Sequence, residues 1–387
     1  MQPGIYIQVP FCQSKCTYCH FASGVFPREL MAPYVDALCR EIRDHETLLA
    51  RVMLAFPRSV APDTIYIGGG TPSLLPAEDL ARILETVREA FPMRRLWREV
   101  TLEADPETVT PHKAAAWRAA GIGRVSLGAQ SFSDAELRAA GRRHRSADIP
   151  RAVEALRAAG FADLNLDLIL GLAGQSAESW QDSLGQLLAL APEHVSIYMF
   201  DADEESRLGR ELLSGGGRYG AAQVPEDDTQ ADWFDQACAR LAAAGYEHYE
   251  ISNWALPGHR ALHNSKYWLR APFLGFGSGA HSFNGSERWA NAHDPAAYVD
   301  AILAGRLPVE QRQAISRHMA LEEEVFLGLR LLEGIDLARI EAEYAVNLRP
   351  RLPRLVEAGA VALEGDRLRL LPERLAVCNE VMAELLL

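Results

Sequence analysis

Six short runs of mostly apolar residues recur through the first half of the chain, each followed by a stretch with helical periodicity. The runs are GIYIQV (4–9), TIYIGG (64–69), EVTLEA (99–104), RVSLGA (124–129), LNLDLIL (164–170) and HVSIYMF (194–200). A strand-like run about every 30 residues, with a helix between, is the rhythm of βα units. The near-continuous apolar character of the runs predicts strands buried between helices. The intervening helices carry start and stop signals. Thr110 is placed to cap a helix with Pro111 in its first turn and Gly121 at its end; Ser133 and Glu136 form a capping-box pair; Ile149, Val153 and Leu156 recur at helical spacing before Gly160. Parallel strands joined by helices close into a barrel or open as a doubly wound sheet, and the pattern leaves both available.

After Phe200 the rhythm breaks. An acidic, glycine-rich stretch (DADEESRLGRELLSGGGRYGAAQVPEDD) predicts an exposed connection, followed by a helix (TQADWFDQACARLAAAG) and a strand-like YEHYEISNW. From about residue 315 the pattern is three helices, two strands about a Gly-Asp turn in AVALEGDRLRLL, and a last helix. That order resembles a winged-helix-like unit. The expected organisation is an α/β barrel-type region over 1–220, an extension over 221–310 covering it, and a helical, winged-helix-like end over 311–387.

Composition narrows the class. With 387 residues, 48% of them hydrophobic and 24% charged, the chain reads as globular, and no apolar run approaches the roughly 18 residues of a membrane span. The start MQPGIYIQVPF lacks the basic and apolar regions of a signal peptide, so the expectation is a cytoplasmic protein, with peripheral membrane contact left open. A net charge of -13 repels phosphate backbones and argues against nucleic acid as a partner.

Three of the six cysteines, Cys12, Cys16 and Cys19, fall within FCQSKCTYCHF, whereas Cys39, Cys238 and Cys378 sit in helix-like segments as small buried hydrophobes. Thiols clustered in a reducing compartment point to metal or catalysis rather than disulfides. C-x3-C-x2-C supplies three soft thiolates on one loop, enough to hold an iron–sulfur cube while leaving its fourth iron without a protein ligand. A structural zinc with His20 as fourth ligand is the alternative, although structural zinc sites usually draw on two separated ligand pairs and no second pair is evident.

The carboxyl ends of the predicted strands are where barrels and open α/β sheets build their sites. Strand one ends in the cysteine loop, strand two in GGGTP (68–72), strand three at Glu103 and strand four at Gln130; strand five carries Asp167. Leu164, Leu166 and Leu168 alternate with Asn165 and Asp167, which places the polar pair on the inner face. A triple glycine lets backbone amides approach a ligand. Singly, a tight turn, a helix cap or a surface carboxylate explains each of these features. Their coincidence at one edge points to a site.

Taken together, PFCQSKCTYCHF resembles the cluster loop of radical S-adenosylmethionine (SAM) enzymes. YIQVPFCQSKCTYCHF, IYIGGGTPSLL, RVSLGAQSFSDAELRAAGRRH, LNLDLILGL and HNSKYW are similar, in order, to the oxygen-independent coproporphyrinogen III oxidase group over about residues 4–285. The resemblance implies a partial (β/α)6 radical SAM barrel followed by a smaller mixed α/β region, a [4Fe-4S] cluster on Cys12, Cys16 and Cys19, and SAM chelating the open iron. It implies that Tyr6 and Tyr18 flank the cluster and that Gly69, Gly70 and Thr71 meet the SAM amino group. Glu103, Gln130, Arg142 and Asp167 would meet its carboxylate, ribose and sulfonium region; the planar fork of Arg142 suits a carboxylate. True oxidases of the group continue the motif to a fourth cysteine where this chain has Phe21, and carry an additional N-terminal arm. Both departures look like the haem chaperone (HemW) branch. Gln8 stands where the group usually has histidine. The resemblance therefore implies haem as cargo and a haem-acceptor protein as partner; the alternative is a catalytic radical enzyme of the oxidase type, generating a 5'-deoxyadenosyl radical. In the second half His248, His259 and His263 are candidates to meet haem iron and Arg260 and Arg270 its propionates, while GFGSGAHSF (275–283) is expected to bring His281 to the open side of the barrel.

Overall fold

The computed structural model describes residues 1–387 except 58–59, 93–95, 372–373, 376–377 and 387. Six parallel strands, β1 (Gly4–Val9), β2 (Thr64–Gly69), β3 (Glu99–Ala104), β4 (Arg124–Gln130), β5 (Leu164–Leu170) and β6 (His194–Met199), lie side by side in chain order. They are the six expected runs, nearly to the residue. Helices α1 (Met31–Arg51), α2 (Ala77–Ala90), α3 (Pro111–Ala119), α4 (Asp134–Ala139), α5 (Asp148–Ala158) and α6 (Ala177–Leu190) connect them. Apolar positions alternate along the strands, so Ile5 and Ile7 of β1, Ile65 and Ile67 of β2, and Leu164, Leu166 and Leu168 of β5 are buried beneath the helices. Burial of each such side chain contributes about 1.5–3 kcal/mol.

The cap signals are realised with one change. Thr110 accepts from the Lys113 amide and Ser133 from the Glu136 amide. The Glu136 side chain, however, accepts from Ser131 Oγ at 2.6 Å and Gln175 Nε2 at 3.2 Å instead of closing the capping box. It thereby ties the turn after β4 to the turn after β5.

Helices α7 (Arg207–Leu213) and α8 (Asp227–Ala243) follow β6. The strand-like YEHYEISNW is a hairpin of β7 (Glu247–Glu250) and β8 (Asn253–Ala255), whose β8 pairs antiparallel with β6. After α9 (Leu262–Trp268), strand β9 (Phe273–Phe276) returns to the opposite edge and pairs parallel with β1. Strands β10 (His281–Phe283), β11 (Glu287–Asn291) and β12 (Val309–Ala314), the last two joined by α10 (Pro295–Leu303), continue outward, giving a twelve-stranded sheet among the described residues. Beyond it lie α11 (Arg317–Gly328), a short β13 (Ile335–Asp336), α12 (Leu337–Tyr344), α13 (Leu352–Glu357), β14 (Val361–Glu364), β15 (Arg367–Leu370) and α14 (Cys378–Leu386). The three short strands form a separate antiparallel sheet with β15 in the centre. No described helix is long and apolar enough to cross a membrane.

One buried carboxylate joins the later strands to the barrel. Glu41 of α1 is 2% exposed and accepts from Tyr298 Oη at 2.6 Å, Asn291 Nδ2 at 2.7 Å and the Gly277 amide at 2.8 Å. Glu41→Ala strands three buried donors, and an expected loss of about 3–5 kcal/mol is read as a lower urea midpoint. Burial raises the Glu41 carboxyl from its ordinary 4.5 to about 7, against the pull of those donors. The folded chain thus retains a proton that the unfolded chain has released, and this group's contribution to stability falls as pH rises from about 4.5 through about 7. The alanine variant loses that part of the pH slope.

Candidate cluster and SAM site

The cysteine loop after β1 is held by its own backbone and by two other loops. Cys12 N donates to Gly24 O at 2.8 Å and Gly24 N to Pro10 O at 2.9 Å, closing the loop on itself. Lys15 Nζ crosses it to Phe21 O at 2.8 Å and Ser23 O at 3.0 Å. Thr17 N donates to Ala140 O at 3.0 Å, and Leu208 N of α7 donates to Thr17 O at 2.8 Å, so the loop is pinned between the end of α4 and the start of α7. His20 Nδ1 lies 3.4 Å from Asp203 on the segment after β6.

This fold opens a cavity of about 420 Å³ at the carboxyl edge of the six parallel strands. Cys12, Cys16, Cys19 and Tyr18 line it from the loop, Gly69, Gly70 and Thr71 from the end of β2, and Glu103 from β3. Gln130, Arg142 and Asp167 complete it. Tyr6 alone among the expected site residues stands apart: it stacks on Tyr66 with centroids 6.1 Å apart, donates to Gln8 Oε1 at 2.7 Å and lines a neighbouring recess. Gln8 Nε2 in turn donates to Ala22 O at 2.9 Å, so the residue at the unusual position braces the loop.

The polar groups are preorganised. Glu103 accepts from Tyr66 Oη at 2.8 Å and the Gly69 amide at 3.1 Å, and burial, with Asp167 adding repulsion, raises its carboxyl to about 7. Asp167 accepts from Asn165 Nδ2 at 2.7 Å and Ser126 Oγ at 3.0 Å, and burial raises its pKa as well. Arg142 reaches Gly128 O at 3.0 Å and Cys16 Sγ at 3.7 Å, and it pairs with Asp105, to which Thr71 Oγ1 donates at 3.3 Å. Asp105, Tyr66, Ser126 and Tyr198 also line the cavity and were not among the expected residues. Tyr66, Ser126 and Tyr198 are polar positions at period two within apolar strands, and Asp105 continues the alternation of Glu103 one residue past the end of β3.

The donor set fits a [4Fe-4S] cluster with SAM. The three loop cysteines are free thiols around one cavity. Among the described residues no three His, Cys, Asp or Glu side chains are set to hold a single metal ion. A cube presents separate iron corners to separate thiolates, so three cysteines on one loop can each meet an iron of its own. Two further observations point to a ligand beside the cluster. Gln130, in a left-handed conformation (φ 59°) at a register shift between β4 and β5, has a buried Oε1 without a hydrogen-bond partner. A Cβ on Gly70 would lie 2.7 Å from Phe11 O and 3.0 Å from Cys12 Sγ, so only glycine leaves this approach open. Cys12, Cys16 and Cys19 would hold such a cluster, which would supply a one-electron donor beside SAM, and the cavity would position and shield that pair.

The candidate haem-facing residues of the second half are dispersed. His248 stacks on Trp254 at 4.1 Å, and His259 lies 3.7 Å from Asp163. His263 engages Thr64 Oγ1 and Tyr267 Oη, both at 2.9 Å, through its two ring nitrogens. Arg260 pairs with Glu333 at 2.6 Å and Glu247 at 3.4 Å, outside the cavity. His281 and Arg270 lie together at a different crevice.

Comparison with known proteins places the chain in a family. The sequence model of the Radical SAM superfamily matches residues 6–187, and that of the HemN C-terminal domain matches residues 315–373. The heme chaperone HemW of Mycobacterium tuberculosis (strain CDC 1551 / Oshkosh) is 35% identical over 385 residues, covering 99% of this chain and 94% of the relative. That of Escherichia coli (strain K12) is 35% identical over 277 residues, 72% of this chain and 69% of the relative. Among solved structures, the radical SAM coproporphyrinogen III oxidase HemN of Escherichia coli superimposes with a TM-score of 0.81 over 99% of this chain and 90% of that one, at 21% identity, which establishes the shared fold. The cluster loop, the glycine turn and the strand-end carboxylates are thus carried on a chain that belongs, along nearly its whole length, to the HemW family of radical SAM proteins.

Proposed function

We propose that the chain is a haem chaperone: it holds a [4Fe-4S] cluster and SAM in the barrel cavity, binds haem as cargo and delivers it to an acceptor protein. The observation that carries this reading is the 35% identity to a heme chaperone HemW across 99% of the chain. Phe21, where oxidases of the group carry a fourth cysteine, supports it, being 61% exposed at the rim of the cavity. Under this reading the cluster and SAM are retained parts of the carrier, and the cavity's carboxylates orient SAM.

The test is a haem titration of the anaerobically reconstituted chain, with and without SAM, followed by an assay for coproporphyrinogen III decarboxylation with SAM and a reductant. Stable haem uptake without decarboxylation is expected. Decarboxylation without haem uptake would replace the chaperone with a catalytic radical enzyme.

A further inference from the structure

A row of buried polar side chains runs from the cluster cavity toward the amino ends of the parallel strands. Asp167 is the end that lines the cavity. Its two oxygens accept from Asn165 Nδ2 at 2.7 Å and Ser126 Oγ at 3.0 Å, and Asn165 Oδ1 meets His194 Nδ1 at 2.7 Å. His194 Nε2 lies 2.7 Å from Tyr249 Oη, to which the Ala261 amide donates at 3.4 Å. Register produces the row, since Asn165 sits opposite Ser126 on β4 and His194 on β6. Ser126, Asn165, His194 and Tyr249 are each at most 4% exposed.

The donors fix a direction. With the Asn165 amide nitrogen on Asp167, the atom facing His194 is a carbonyl oxygen, which only accepts, so Nδ1 carries the imidazole proton. Nε2 is then the acceptor and takes the Tyr249 O–H. Burial, then Arg124 and His259, hold the His194 pKa well below the usual histidine range, so the ring stays in this neutral form. Tyr249, His194 and Asn165 thus each donate toward Asp167. An amide does not hand a proton on, so Asn165 makes the row a brace and not a proton wire.

The far end is held by the C-terminal domain. Tyr249 is the extra residue where the β7–β8 register shifts between His248 and Glu250, and a bulge of this kind re-aims a side chain. The Leu332 amide donates to Tyr249 O at 3.1 Å, and Ile251 N donates to Arg330 O at 3.2 Å. Arg330 and Leu332 follow α11 within the HemN C-terminal domain match.

We propose that His194 is a positioning residue for SAM: through Asn165 it fixes the Asp167 carboxylate in the cavity, and Tyr249, anchored by the C-terminal domain, holds the imidazole in turn. The proposal rests on the reading of the cavity as a SAM site and names the residues behind its wall. A carboxylate already held by fixed donors has little rotational freedom left to lose when a ligand arrives.

The experiment measures SAM affinity by anaerobic equilibrium dialysis on the full, cluster-reconstituted chain. It compares the unaltered protein with Tyr249→Phe, His194→Ala, Asp167→Asn and the double variant His194→Ala with Asp167→Asn. Iron and sulfide content and the urea midpoint report folding separately. Tyr249→Phe removes one hydroxyl with little change of volume and is expected to weaken SAM by about threefold to tenfold, and His194→Ala by about tenfold or more. In the Asp167→Asn background the His194 change should cost no further affinity, because the group it positions is gone. A lowered urea midpoint with unaltered SAM affinity in both Tyr249→Phe and His194→Ala would make the row a purely structural part and overturn the proposal, as would losses that add in the double variant. A reconstituted wild-type chain that binds no SAM would overturn the SAM reading of the cavity itself.

Discussion

Cys16→Ser, reconstituted anaerobically with iron and sulfide, is expected to hold little of either, where the unaltered chain holds about four irons. A cube with one open corner has three protein ligands, and losing one leaves two irons without protein sulfur. A serine oxygen is a harder donor with a far higher pKa than a thiol, so it replaces the sulfur poorly. The Cys16 sulfur is also the one that Arg142 reaches, at 3.7 Å, so its loss frees a buried guanidinium held otherwise by Asp105 and Gly128 O. The comparison variant is Cys238→Ser: burial holds that thiol up at about 12, it lies on α8 away from the loop, and its replacement should leave iron content unchanged. Iron and acid-labile sulfide assays read both. Full iron loading in Cys16→Ser would remove the loop from the account.

The second large effect is expected from a single methyl group. Gly70→Ala places a Cβ 2.7 Å from Phe11 O, 2.9 Å from the Pro10 carbonyl carbon and 3.0 Å from Cys12 Sγ. Two of these neighbours are backbone and the third is the sulfur of a short side chain on the cysteine loop, so none can swing aside as a long flexible side chain would. Such overpacking typically costs about 1–3 kcal/mol. Here it also pushes the cysteine loop away from β2, where Gly70 N donates to Val9 O and Thr71 N to Phe11 O, both at 2.8 Å. SAM affinity is expected to fall by about tenfold or more, with reduced cluster loading, as read by equilibrium binding and iron assay. Gly123→Ala is the matched control, because a Cβ there meets nothing within 4 Å.

The barrel was legible because each of its layers repeats one local rule. Apolar alternation marked the six parallel strands, Thr110, Ser133 and Gly121 marked helix ends, and placing chemistry at strand carboxyl ends gathered Glu103, Gln130 and Asp167 into one cavity. Strands β9 to β12 were not foreseen. Their pairing with the rest is long-range, Gly4 against Phe273, and β12 reads VEQRQA with nearly every residue exposed, so no buried face imprints an alternation on it. The placement of Tyr6 escaped for a related reason. Its strand pattern is that of its neighbours, and only the register that sets Tyr6 beside Tyr66 determines which ring borders the cavity. Asp105 is two residues past Glu103 and shares its side of the chain, yet its value as the partner of Arg142 depends on a contact 37 residues away.

The account stands on three thiolates leaving one iron corner for SAM, and electron paramagnetic resonance of the dithionite-reduced, reconstituted chain tests this most directly. A reduced [4Fe-4S] signal whose g-values shift on adding SAM, and do not shift with methylthioadenosine, which lacks the chelating amino and carboxylate groups, at equal concentration, is the predicted result. A cluster signal indifferent to saturating SAM, or a chain that retains no sulfide at all, would contradict it.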